Sequence, residues 1–145
     1  MVAVAAALSL AACSGEGATS PSLDGMVYNA TYTGQGTIQR SPDGFDAGAV
    51  QPATVTMTLS QLGQDFSGRW TVTLTTGFSY SGSVTGRTTS TGADFTYVET
   101  SCIGTLYGSF TVAEAQLSGT ATGRDCDAGA TGNNVRITFT NLVRQ

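Results

Sequence analysis

From residue 53 onward the chain alternates apolar and hydroxylic side chains almost one for one. In Ala53-Thr54-Val55-Thr56-Met57-Thr58-Leu59-Ser60 every odd position is apolar and every even one is Thr or Ser, the period of a strand with one face in a core and the other in water. After a turn at Leu62-Gly63-Gln64-Asp65, the run Phe66 to Leu74 places Phe66, Trp70, Val72 and Leu74 on one face and Ser67, Arg69, Thr71 and Thr73 on the other. The same logic predicts strands from Phe78 to Arg87, Ala93 to Glu99, Ile103 to Val112, Ala115 to Gly123 and Val135 to Val143, with Gly- or Asp-containing breaks between most of them. An opening strand from Met26 to Ile38 carries Met26, Tyr28, Ala30 and Tyr32 on its apolar face, and Gly34 and Gly36 bend its far end. The segment from Arg40 to Pro52 is the one long loop.

Eight strands with short links make an antiparallel meander, and no stretch after residue 13 has the period of a helix. Each strand has one apolar face and no helix to cover it, so the sheet must close on itself or fold face to face. The expected fold is therefore all-β, a single antiparallel eight-stranded up-and-down β-barrel; a β-sandwich is the alternative. The form apolar-Ser-Gly recurs at Phe66-Ser67-Gly68, Tyr80-Ser81-Gly82 and Leu117-Ser118-Gly119. An inward Gly either makes room for a bulky neighbour and lets the sheet coil, or leaves a cavity.

Composition narrows the chemistry. Charged residues are 11% of the chain, against about 25% in an average domain. The six basic residues are all Arg and are dispersed, so the clustered positive footprint of a nucleic-acid binder is missing. The chain has no His, which removes the commonest general base and metal ligand together. No catalytic set, metal site or cofactor is expected. Asp43 with Asp46, and Asp125 with Asp127, fall in Gly-rich turns and read as solvated turn residues. Glu99 shares the parity of Phe95 and Tyr97, which would point it inward at one mouth of the barrel; fraying of the strand end is the more frequent explanation for such a residue.

Residues 2 to 12 form an apolar run too short to span a bilayer but of signal-peptide length, and they end at a cysteine. The tetrad Leu10-Ala11-Ala12-Cys13 resembles the lipobox of bacterial lipoproteins. That resemblance covers the first 13 residues and implies a lipid on the Cys13 thiol and acylation of its freed amine. It divides the chain into a leader over 1–12, a tether over 13–23 and a barrel domain over 24–145, held at a membrane in the cell envelope outside the cytoplasm. The pattern calls for a basic stretch at the start, yet no Lys or Arg precedes Arg40; the expectation is a leader truncated at its N-terminal end. With Cys13 assigned to lipid, Cys102 and Cys126 are left as an even pair in an oxidising compartment, and a disulfide is the natural assignment. Free thiols or a metal pair are the alternatives. Closing that loop stabilises a fold by about 3 to 3.5 kcal/mol in the chain-entropy picture.

The stretch Leu59-Ser60-Gln61-Leu62-Gly63-Gln64-Asp65-Phe66-Ser67-Gly68-Arg69-Trp70, with the Gly-punctuated strands after it, resembles the small β-barrel lipoproteins of bacteria and, more remotely, the avidin and lipocalin barrels. Those families hold a small molecule inside the barrel, which implies a small apolar or amphipathic ligand here. The expected pocket is walled by Trp70, Tyr80 and Tyr97, with Tyr28 and Tyr32, and has Glu99 at its rim. Trp70 is the sole Trp, whereas avidin pockets use several, so no avidin residue carries over by position. The alternative is a filled barrel that acts as a structural or protein-interaction module of the envelope. The anchor is tested by Cys13→Ala: the variant is expected to leave the membrane fraction and lose lipid label, and retention of both would contradict the lipoprotein assignment.

Overall fold

In a computed structural model the alternation becomes eight strands: β1 (Ala30–Ser41), β2 (Gln51–Leu62), β3 (Asp65–Leu74), β4 (Ser79–Thr88), β5 (Gly92–Glu99), β6 (Thr105–Ala113), β7 (Gln116–Arg124) and β8 (Asn134–Arg144). The structure describes residues 28–45, 47–100, 104–113, 115–125 and 133–145. Cys13, Cys102 and Cys126, with Met26, Asp46 and Asp127, lie outside them. Each strand pairs antiparallel with the next, and β1 pairs with β8 to close the ring. The up-and-down barrel is thus the architecture, and closure leaves no free sheet edge.

Closure fixes what faces inward. On β2, Ala53, Val55, Met57 and Leu59 are buried while Thr54 and Thr58 are exposed. On β3, Phe66, Trp70, Val72 and Leu74 are buried. The outer wall is hydroxylic, and its cross-strand neighbours bond to one another: Thr31 with Thr58 at 3.0 Å, Thr33 with Thr56 at 3.2 Å, and Thr73 with Ser79 at 2.9 Å.

An eight-stranded barrel has room inside for side chains or for one small ligand among them, and here glycines help decide where the largest rings go. A Cβ at Gly86 would run into the Phe66 ring, and one at Gly108 into the Phe95 ring. Phe66 pairs with Gly86, and Phe95 pairs with both Gly86 and Gly108, so each ring lies over a backbone with no side chain of its own. In the apolar-Ser-Gly repeat, an added methyl at Gly68, Gly82 or Gly119 would strike a carbonyl of the neighbouring strand, Thr58, Val98 or Ser109. The small residues serve tight coiling and ring packing. Trp70 then contacts Phe95, Tyr97 and Phe139 edge-on at centroid distances of 5.3, 5.1 and 5.6 Å.

Two elements depart from simple alternation. On β8, Val135, Ile137 and Phe139 are inward, and then Leu142 rather than residue 141 is buried. The register slips opposite Leu117 and Gly119, Asn141 takes φ 51°, and its N–H donates to Ser118 Oγ at 2.9 Å. This is a bulge with an Asn in the left-handed region that Asn tolerates. At the other end of the sequence, β1 begins at Ala30 rather than Met26, and it runs on to Ser41 because Gln39, Arg40 and Ser41 keep pairing with Arg136, Val135 and Asn134 after β2 has ended. The long link is 42–50, shorter than the loop read from the pattern.

The two ends of the barrel differ. The β2–β3, β4–β5 and β6–β7 turns sit at one end, where Tyr28 forms a plug: its ring stacks on Phe66 at 5.6 Å and its hydroxyl donates to the Gly92 carbonyl at 2.9 Å. The other end carries the links 42–50, 75–78, 100–104 and 125–133. Two substitutions test the packing account by urea unfolding. Gly86→Ala should destabilise by about 1–3 kcal/mol through overpacking against Phe66. Ala115→Gly should stabilise by up to about 1 kcal/mol, because Ala115 sits at φ 64° in the β6–β7 turn. A neutral Gly86→Ala would show that the ring does not need the bare backbone.

Candidate functional site at the long-link end of the barrel

The inward face of each strand keeps its parity to the last residue at the end of the long links, and four polar side chains result. Arg40 continues the row Tyr32, Gly34, Gly36, Ile38 on β1; Asp125 follows Leu117, Gly119, Ala121 and Gly123 beyond β7; Glu99 closes the row Ala93, Phe95, Tyr97 on β5; and Tyr80 begins the row Tyr80, Gly82, Val84, Gly86 on β4. The Arg40 guanidinium forms an ion pair with the Asp125 carboxylate, donates through Nη1 to the Tyr80 hydroxyl at 2.6 Å, and lies 4.1 Å from the Tyr80 ring centroid. The side chain of Asp125 is 3% exposed and that of Arg40 16%. Asp125 is locked in place by its own link, since Asn133 N–H donates to Oδ1 at 3.3 Å and Asp125 N–H to the Asn133 carbonyl at 3.1 Å. Beside this pair Ser41 is buried, and its Oγ accepts from the Asp43 N–H at 3.1 Å.

Asp125 was expected in solvent and is instead one of the three buried polar or charged residues among those described. The reason is strand parity: it lies two residues beyond Gly123 and so faces inward, where a carboxylate needs a cation, and Arg40 supplies one. Sequence reasoning missed both members. Arg40 was taken as the first residue of a loop, and the signal that would have found it is its place two residues after Ile38 on the inward row.

Of the six residues expected to wall a pocket, the structure brings four to the half nearer the long links. Trp70 pairs with Gly82, and Gly82 pairs with Glu99, so across β3, β4 and β5 a ring and a carboxylate flank a position with no side chain. Glu99 is 9% exposed and faces inward, as its parity predicted. Tyr97 stands below Glu99 on the same strand and against Trp70, and Tyr80 sits at the rim. The other two belong elsewhere: Tyr28 is the plug of the closed end, and Tyr32, paired with Met57 and Arg144, lies in that half too.

The polar atoms of the enclosed rings stand out. Trp70 Nε1, Tyr97 Oη and Tyr32 Oη are buried and have no hydrogen-bond partner among the described residues, a costly condition for a buried donor. Burial raises the Tyr97 phenol far above its ordinary value, and the Glu99 charge adds to the rise. Burial pushes Tyr28 up to about 12, with Tyr32 adding to it. Tyr32 is raised by burial as well, against a lowering effect of Arg144.

No protein-family model and no curated protein sequence matches the chain. Solved structures do. A redesigned β-barrel superposes with a TM-score of 0.51 at 14% identity, covering 79% of this chain and 91% of that one. The protein EF1p2_mFAP2b bound to DFHBI superposes with a TM-score of 0.57 at 13% identity, covering 79% and 94%. At such identities the likeness is one of fold, and it places the chain among small closed β-barrels.

The phenols generate a pH prediction. A phenol whose folded pKa is raised contributes stability that is complete below its unfolded value of about 10 and is lost as pH climbs through the folded value. The phenolate absorbance of Tyr28 and Tyr97, isolated by difference from Tyr28→Phe and Tyr97→Phe, is therefore expected to rise together with loss of the β-sheet circular dichroism signal. Ionisation of either phenol in an intact barrel below about pH 10 would contradict their burial.

Proposed function

We propose that this chain is an exported, lipid-anchored β-barrel that binds a small amphipathic molecule through the end of its long links and performs no catalysis. The observation that carries the reading is the pairing of two enclosed, unpartnered polar ring atoms, Trp70 Nε1 and Tyr97 Oη, with a polar rim of Arg40, Tyr80, Glu99 and Asp125. Protein interiors satisfy such atoms with protein, water or ligand. A flat ring that lies against Trp70 and Tyr97, carries a hydrogen-bond acceptor within reach of Trp70 Nε1 and Tyr97 Oη, and turns a polar end toward the rim would satisfy both. That a barrel of the same fold has been solved with DFHBI bound supports the capacity of the scaffold. The absence of His from the whole sequence supports a binding role over an enzymatic one.

The anchor in this reading is the lipid on Cys13, which places the domain in the cell envelope. In the same reading Cys102 and Cys126 form a disulfide. Glu99 and Asp125, three and one residues before those cysteines in sequence, sit at the same mouth, which supports the pairing. The alternative is a filled barrel acting on an envelope protein partner, and the Phe66 and Phe95 rings seated on Gly86 and Gly108 favour it for the closed half.

Native mass spectrometry of the exported protein, exposed to an extract of its own envelope, separates the two. The expected result is a reproducible added mass below about 1 kDa, the size class of pocket ligands, that is lost in a folded Trp70→Phe variant. A bare mass throughout would overturn ligand binding and leave the filled barrel.

A further inference from the structure

The outer wall of β3 to β6 departs from the hydroxylic surface around it. Two cross-strand rows run side by side there: Asp65, Arg87, Asp94 and Ser109 in one, and Ser67, Thr85, Thr96 and Tyr107 in the other. Between them lies the row that contains Gly86 and Gly108, whose partners Phe66 and Phe95 turn their rings inward. Every position of that middle row faces the bore, and over its backbone, between the two outward rows, lies a hollow of about 680 Å³, lined among others by Asp65, Thr85, Arg87, Asp94, Thr96 and Tyr107 and broadly open to solvent.

We infer that this hollow is a binding site for a neutral or amino-bearing oligosaccharide chain. Tyr107 is 65% exposed beside the hydroxyl, carboxylate and guanidinium groups that line the hollow, and an exposed aromatic face among hydrogen-bonding groups suits a molecule that is apolar on one face and hydroxylated at its rim. A sugar ring is such a molecule: its axial C–H face stacks on Tyr107, and its hydroxyls meet acceptors on Asp65 and Asp94, donors on Arg87 and hydroxyls of Thr85 and Thr96. Arg87 is already oriented, since its Nε donates to Asp65 Oδ1 at 3.0 Å. Two carboxylates flank the one guanidinium, so an anionic chain is repelled. The hollow opens widely on the convex side of the barrel, a shape that accepts a stretch of a chain passing over it better than it encloses a single sugar. This site is separate from the mouth at the long links, and its success or failure leaves the ligand reading there untouched.

The test is an amide chemical-shift titration of the protein with cellohexaose, chitohexaose and a galacturonate hexamer. The expected result is a dissociation constant on the order of 1 mM or tighter for at least one of the first two, shifts centred on Arg87, Asp94 and Tyr107, and none with the galacturonate. Binding should weaken by about tenfold or more, or 1.4 kcal/mol, in Tyr107→Ala and fall in Asp94→Asn. It should be unchanged in Phe78→Ala, which removes another exposed ring far from the hollow. If neither neutral nor amino sugar shifts these residues, or if Tyr107→Ala binds as well as the parent, the assignment is overturned.

Discussion

The pairing of β1 with β8 is the constraint on which everything else depends. It turns a meander of half-apolar strands into a closed wall, satisfies both edges of the sheet, and sets an interior too narrow for a conventional core of interleaved layers. Inside that bore large rings crowd one another, and bare backbone on a neighbouring strand gives several of them room. Phe66 over Gly86 and Phe95 over Gly108 are solutions to that problem, and the edge-on cluster around Trp70 is built beside them.

Closure also makes the two ends unequal. At the end of the tight turns, Tyr28 folds over the bore and spends its hydroxyl on the Gly92 carbonyl. At the end of the long links, polar residues occupy the inward positions, and the bore finishes in the Arg40–Asp125 ion pair and the Tyr80 ring and hydroxyl. A buried ion pair is a poor source of net stability, because desolvation of both charges offsets most of their attraction. Its presence at the mouth, with the tyrosine beneath it, is more readily understood as positioning of a guanidinium than as reinforcement of the barrel.

Much of this was legible in the sequence because a strand reports its faces with a period of two. The inward rows of β2, β3 and β5, the inward direction of Glu99 and the eight-strand meander all follow from alternation alone. What was not legible lay where local pattern and tertiary pairing part company. Arg40 and Asp125 resemble loop residues beside Pro42 and within a Gly- and Asp-rich break, and only the continued pairing of β1 with β8 keeps Arg40 on the wall. Tyr28 and Tyr32 have the parity of pocket residues, but parity says nothing of height along the bore, and the register places them toward the wrong end. The bulge at Asn141, which carries Leu142 into the core, depends on Ser118 of another strand and leaves no local signature beyond an Asn.

The central claim is that the half of the barrel nearer the long links is a ligand site and not simply the top of a filled core. A high-resolution crystal structure of the protein purified from its own envelope tests it most directly. The account predicts electron density for a small molecule within hydrogen-bonding reach of Trp70 Nε1 or Tyr97 Oη and extending toward Arg40. A bore in which those two atoms are satisfied by protein groups or ordered water, with Arg40 and Asp125 closed over them, would contradict it.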